Sequence, residues 1–270
     1  MDARAELVVD VDGRGRTRPT TMFGQAPLLL RVTDRGDDVL TVHLVGGAAG
    51  PLGGDHLSTR VDVGTDAQLR VRSVAASLAQ PGAARGATSE ARVAVDLASN
   101  AMLDWHPQPL ISVAGSNHVQ HTTVAVADET SSLRWVDEVV LGRHDEPGGR
   151  LTMHQRFTVA GRPVIHHTLR FGADRIADDG GSIGRHGRFR VAITAVVLGV
   201  DSPTSQPAVI IDTTRRLCRL NLGTSHTMWT ALADDLDDAR SGLAELGLGA
   251  MGGCDVRNRH LERPLAASHG

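Results

Sequence analysis

The sequence contains no lysine and no tyrosine, and every one of its 28 basic residues is arginine. Without lysine there is neither a Schiff-base amine nor the lysine of a phosphate-cradling loop, so the chain by itself cannot be a Walker-type nucleotide hydrolase. Aromatic residues are only 3% of the total, so a β-rich core has to be built from Val, Leu, Ile and Ala rather than large rings. Two cysteines, Cys218 and Cys254, are too few for a disulfide framework, and a reducing, cytoplasmic setting is expected. The longest apolar run, VAITAVVLGV at residues 191–200, falls well short of the roughly twenty residues of a membrane helix. The N-terminal MDARAELVVDVDGRGR lacks the apolar stretch of a secretion signal. A net charge of -3, with the arginines dispersed, predicts no broad footprint for nucleic acid.

What is present is ordinary globular composition, 41% hydrophobic beside 22% charged, arranged mostly with period 2. In HLSTRVDV, Leu57, Thr59, Val61 and Val63 alternate with His56, Ser58, Arg60 and Asp62, the pattern of a half-buried strand. QLRVRSV and ARVAVDL repeat that alternation, LTMHQRFTVAGRPVIHHTLRF reads as a hairpin turning at AGRP, and RFRVAITAVVLGV is apolar enough for a strand buried on both faces. One mainly β domain over 1–249 is expected, with a flexible tail at 250–270. Trp229, Leu232, Leu236, Ala239, Leu243 and Leu246 recur at three- and four-residue steps, predicting a helix over about 228–246 that Gly247 stops. No repeat of fixed length is visible, which argues against a regular solenoid and leaves irregular β-coils open.

A catalytic constellation is not evident. His166 and His167 are adjacent, and His118 and His121 an odd number apart, in probable strands; each pair points to opposite faces and cannot grip one ion. HExxH and CxxC are absent, and Cys254 with His260 is a loose pair in the tail. No Gly has the nucleophile-elbow or dinucleotide spacing. The paired acids Asp137-Glu138 and Asp145-Glu146 read as solvated or turn residues.

Two stretches go further. GPLGGDHLSTRVDVGTDAQLRV at 50–71, and LDWHPQP with LRWVDEVVLGR inside 103–143, resemble in order and spacing the two signatures of the urease accessory protein UreD family, called UreH in some organisms. Where family members continue with a TTQAATKVY-like segment, this chain has RSVAASLAQPG. The resemblance implies a non-enzymatic scaffold with a helical winding of β-strands and about two helices, one near the C-terminus. It also implies UreF, UreG (through UreF) and apo-urease as partners, and nickel in transit with no permanently bound cofactor.

Ni(II) held only in passage suits scattered carboxylate, imidazole and water ligands. By motif position the candidates are Asp55 and Glu138, with His106 and Asp104 weaker. The bland alternatives are that Asp55 caps a turn and Glu138 pairs with Arg143. Gly53, Gly54 and Gly142 supply turn conformations and Pro107 and Pro109 an extended backbone, while Trp105 and Trp135 are expected in the core, with interface anchors as the alternative. Two other classes stay open. A β-rich carbohydrate-active or metal-dependent hydrolase would need two carboxylates about 5 to 9.5 Å apart in an open cleft; a plain interaction module would need no metal ligands.

Overall fold

The period-2 segments fold as strands whose buried side chains face one another across two sheets. The computed structural model describes residues 1–36, 39–172, 189–199 and 206–249. The chain opens with the hairpin β1 (Asp2–Val11) and β2 (Thr17–Gly24) in the first sheet, then crosses to β3 (Leu28–Arg35) and β4 (Leu40–Gly46) in the second. From there it winds. β5 (His56–Val63) returns to lie parallel to β1, β6 (Gln68–Ser73) lies parallel to β4, and β7 (Ser77–Ala79) follows. The next coil lays β8 (Ser89–Leu97) on β5, β9 (Met102–Trp105) on β6 and β10 (Leu110–Ser112) on β7. The third lays β11 (Asn117–Val126) on β8, and β12 (Ser132–Leu141) on both β9 and β10. β13 (Arg150–Val159) pairs with β11, and β14 (Arg162–Phe171) closes the first sheet antiparallel to it. The coils begin at His56, Ser89, Asn117 and Arg150; their unequal lengths hide the repeat from a search for a fixed period.

The second sheet is then extended antiparallel by β15 (Val191–Gly199), β16 (Ala208–Ile211), β17 (Arg215–Asn221) and β18 (His226–Ala233), in the order β16-β17-β18-β15-β12. All nine residues of β15 are buried, as its continuous apolar run predicts. One face of this strand belongs to the space between the sheets. The other lies under α1 (Leu236–Glu245), where Ile193, Trp229, Leu217, Ala239 and Leu243 form a separate apolar cluster.

The predicted helix over 228–246 is corrected: residues through Ala233 form β18, paired on both edges with β15 and β17. Apolar positions there satisfy both the helical and the strand period, and the two neighbours decide. Asp235 caps the helix, its carboxylate accepting from Asp238 N at 2.8 Å. Gly247, at φ 83°, ends it as expected, with Leu248 N donating to Leu243 O and Gly247 N to Ala244 O at 2.9 Å each. Among the described residues α1 is the only helix, against the two that the resemblance implies. The 250–270 tail, with Cys254 and His260, lies outside the described residues.

Between the sheets Trp105 and Trp135 stack with ring centroids 4.6 Å apart and 2° between planes, and Phe157 meets Trp135 edge-on at 5.8 Å. Trp105 is 3% and Trp135 0% exposed: both are core. Burying each such ring contributes at least the roughly 1.5–3 kcal/mol of a large apolar side chain.

Candidate functional site

The Gly-Gly-Asp turn shows why its glycines are there. A Cβ on Gly53 would stand 2.6 Å from Gly82 N and Ala87 O, both backbone, and Gly54 has φ +97°. Asp55 is buried and caps the turn: one oxygen accepts from Leu52 N at 2.8 Å, and the other from the Met1 amine at 3.0 Å. Its carboxylate therefore ties the N-terminus to the start of β5.

On β12 and β9 the side chains alternate between the two surfaces of the second sheet. Asp104 and His106 flank Trp105 and share the surface away from the tryptophan stack. Asp104, 1% exposed, is surrounded by guanidinium: Arg72 Nη2 at 2.5 Å, Arg70 Nε at 3.5 Å and Arg134 Nη1 at 3.6 Å. His106 turns instead to Glu138, Nε2 to Oε1 at 3.2 Å. Glu138 is completed by α1, whose Arg240 donates Nε to Oε1 at 2.9 Å and Nη2 to Oε2 at 2.6 Å. Burial pushes the Glu138 carboxyl up, but the His106 and Arg240 hydrogen bonds outweigh it and hold the group below the usual range.

The expected Glu138–Arg143 pair is not formed. Gly142, at φ +80°, turns the chain out of β12, and Arg143 closes locally on Glu146 with Nε–Oε1 at 2.9 Å and Nη2–Oε2 at 3.1 Å. A side chain on Gly142 would stand 2.2 Å from Glu146 O, so glycine is required at this corner.

Asp137 and Glu138 also depart from the solvated pair expected of them: they are 7% and 3% exposed. Adjacent in a strand, they point to opposite surfaces. Asp137 enters the space between the sheets, where Trp135 Nε1 donates to it at 2.8 Å and Gln155 Nε2 at 2.6 Å. Gln155 Oε1 in turn meets His167 Nε2 at 2.5 Å. Burial raises the Asp137 carboxyl to about 6, against the pull of the Trp135 and Gln155 bonds. This polar seam divides the core, with Trp135, Phe157 and Ile165 on one side and Val139, Leu151, Met153 and Phe171 on the other. Sequence reasoning missed it. Its one signal was an Asp-Glu pair inside a strand pattern rather than in a turn.

The histidines separate as their spacing requires: His118 is buried and hydrogen-bonded to Ser89 Oγ at 2.8 Å, with burial lowering its pKa to about 4, while His121 faces out. Among the described residues no group of three or more His, Cys, Asp or Glu could hold a metal ion. Of the four candidate ligands only His106 and Glu138 touch; the hydrogen-bond partners of Asp55 and of Glu138 have no residue in common.

Comparison with known proteins decides what these segments belong to. The profile described as UreD urease accessory protein matches residues 1–257. The chain belongs to the UreD family.

A urease accessory protein UreD of Parafrankia sp. is 38% identical over 190 residues, covering 63% of this chain and 63% of that protein. UreD of Streptomyces avermitilis is 39% identical over 172 residues, 63% of this chain and 67% of its own. UreD of Streptomyces coelicolor is 37% identical over 196 residues, 72% and 76%. These relatives are named as accessory proteins, not as the enzyme, and a wound, mainly β fold is what this member has. The two halves of its second motif lie side by side: WHPQP begins at the end of β9 and VDEVVLGR runs along β12, joined by the Trp105–Trp135 register pair. Among the described residues no helix is long and apolar enough to cross a membrane.

Proposed function

We propose that this UreD-family chain is a scaffold of urease maturation: it binds UreF, through UreF holds UreG on apo-urease, and passes nickel toward the urease active site in the cytoplasm. The observation that carries the nickel reading is His106–Glu138, an imidazole and a carboxylate in direct contact at 3.2 Å on a buried surface. Imidazole, carboxylate and water are suitable Ni(II) ligands. Two protein donors bind a cation loosely, as delivery requires, whereas three or four would trap it. Each of the three carboxylates has a cationic partner, Arg240 for Glu138, three guanidiniums for Asp104 and the Met1 amine for Asp55; Glu138 is favoured because it also has an imidazole in contact.

A hydrolase reading is disfavoured by the same geometry. Asp137 and Glu138 project to opposite surfaces of β12 and cannot flank one scissile bond.

The test is co-expression with UreF, UreG and apo-urease, followed by purification through one component. The chain is expected in the complex, with urease activation depending on it. Glu138→Ala and His106→Ala are expected to lower nickel loading with assembly unchanged; full loading in both would remove the pair from the path, and absence from the complex would overturn the scaffold role.

A further inference from the structure

The outward surface of the first sheet is divided by charge. On its β1–β5–β8 part, acids and arginines are matched: Arg60 pairs with Asp62 at 3.0 Å and Asp96 at 2.8 Å, and Arg92 pairs with Glu90. The next three ten-residue strands, β11, β13 and β14, contain no Asp or Glu at all. Their outward residues include Arg156 and Arg170 with His121, His154 and His166; His121 Nε2 meets Glu90 Oε1 of β8 at 3.2 Å, but among the described residues no carboxylate is in an ion pair with Arg156 or Arg170. The register sets these side chains on adjacent strands of one face. Arg156 lies opposite His166, Thr152 opposite Arg170, and the His121 and His154 rings stack with centroids 4.8 Å apart.

Arg156 and Arg170 therefore stand on this face without the acidic partner that Arg60 and Arg92 have. Charge on an exposed edge guards against edge-to-edge pairing, but that reason applies only to β14. Arg156 and His154 are on β13, which is paired on both sides by β11 and β14. We propose that the β11–β13–β14 surface is a docking face for the acidic surface of a protein partner, whose carboxylates occupy the place that Asp62, Asp96 and Glu90 fill beside arginine on the rest of the sheet. A protein is favoured over nucleic acid because the net charge of the whole chain is -3 and the three strands have no outward aromatic residue on which bases could stack. The inference concerns a surface and stands apart from the nickel reading.

Three full-length chains decide it: wild type, Arg156→Glu/Arg170→Glu, and Arg14→Glu/Arg85→Glu, which makes the same charge change at exposed loop positions. The probes are fluorescent poly-L-glutamate of about 50 residues and a DNA duplex of about 20 base pairs, titrated from about 50 to about 300 mM salt. Wild type is expected to bind poly-L-glutamate in a salt-sensitive manner; the docking-face variant loses about tenfold or more and the control stays within about twofold. No binding by wild type, equal binding by all three chains, or tighter binding of the duplex overturns the proposal. If the double reversal fails to fold, Arg156→Gln/Arg170→Gln is read in the same way. In the co-purification described above, retention of every partner by the docking-face variant also overturns it. Failure of wild type to join that complex counts against the scaffold role, while the probe titration still decides the surface.

Discussion

Arg240, on the C-terminal helix, places two guanidinium nitrogens on the two carboxylate oxygens of Glu138, a residue 102 positions earlier. This contact ties α1 to the strand that runs through the family motif, and it neutralises a carboxylate whose side chain is 0% exposed.

Removing the arginine leaves that carboxylate with His106 alone. Arg240→Met is expected to destabilise the chain by about 2–3 kcal/mol, below the range for a fully buried pair because Arg240 is 32% exposed. Urea unfolding of purified wild type and variant measures it. A loss under about 0.5 kcal/mol would show that His106 and solvent suffice.

The tryptophan stack allows a sharper test than either ring alone. Trp105→Ala and Trp135→Ala each remove a buried ring and are expected to cost about 3–5 kcal/mol. In a double-mutant cycle the two should couple by about 0.5–1.5 kcal/mol. Trp105→Leu and Trp135→Leu serve if the alanine variants do not fold, and additive effects in the cycle would mean that the stacking itself contributes nothing.

Asp137 gives a pH dependence of defined sign. Its pKa in the fold, about 6, lies above the ordinary 3.8, so the folded state binds a proton that the unfolded state has released. Its stabilising contribution is complete below about 3.8 and is lost as pH rises through about 6, the gap corresponding to about 3 kcal/mol. Asp137→Asn keeps an acceptor for Trp135 and Gln155 but cannot titrate. The stability difference between variant and wild type, measured by urea unfolding between about pH 4 and pH 7, should therefore move in favour of Asn as pH rises. A difference that does not change with pH would mean that Asp137 titrates normally.

Gly53→Ala forces a methyl to within 2.6 Å of the Gly82 and Ala87 backbone. A loss of about 1–3 kcal/mol is expected, whereas Gly13→Ala, with nothing within 4 Å of its new Cβ, should be near neutral. Paired thermal melts would expose the reading as wrong if the two variants behave alike.

Much of this was legible locally. Period 2 marks which side chains of β5, β6 and β13 are buried; the unbroken apolar run marks β15 as covered on both faces; AGRP turns where Ala160 and Gly161 take φ 49° and 73°. The limits were local too. Trp229 and Leu232 fit a helical stripe as well as they fit β18, and only pairing with β15 and β17 separates the two.

A mainly β chain, the two motif-bearing segments and the inward or outward sense of most strand residues follow from the order of residues along the chain, because the pleat fixes side-chain direction within a few residues. Tertiary structure alone decided the partners. Parallel neighbours in the winding come from separate coils, so nothing near Glu138 in the chain announces Arg240, nothing near Asp104 announces Arg72, and nothing on β13 announces that β11 and β14 also lack acids. Ionic and polar pairing acts through space over a few ångströms, and which distant residues come that close is set by how the coils stack.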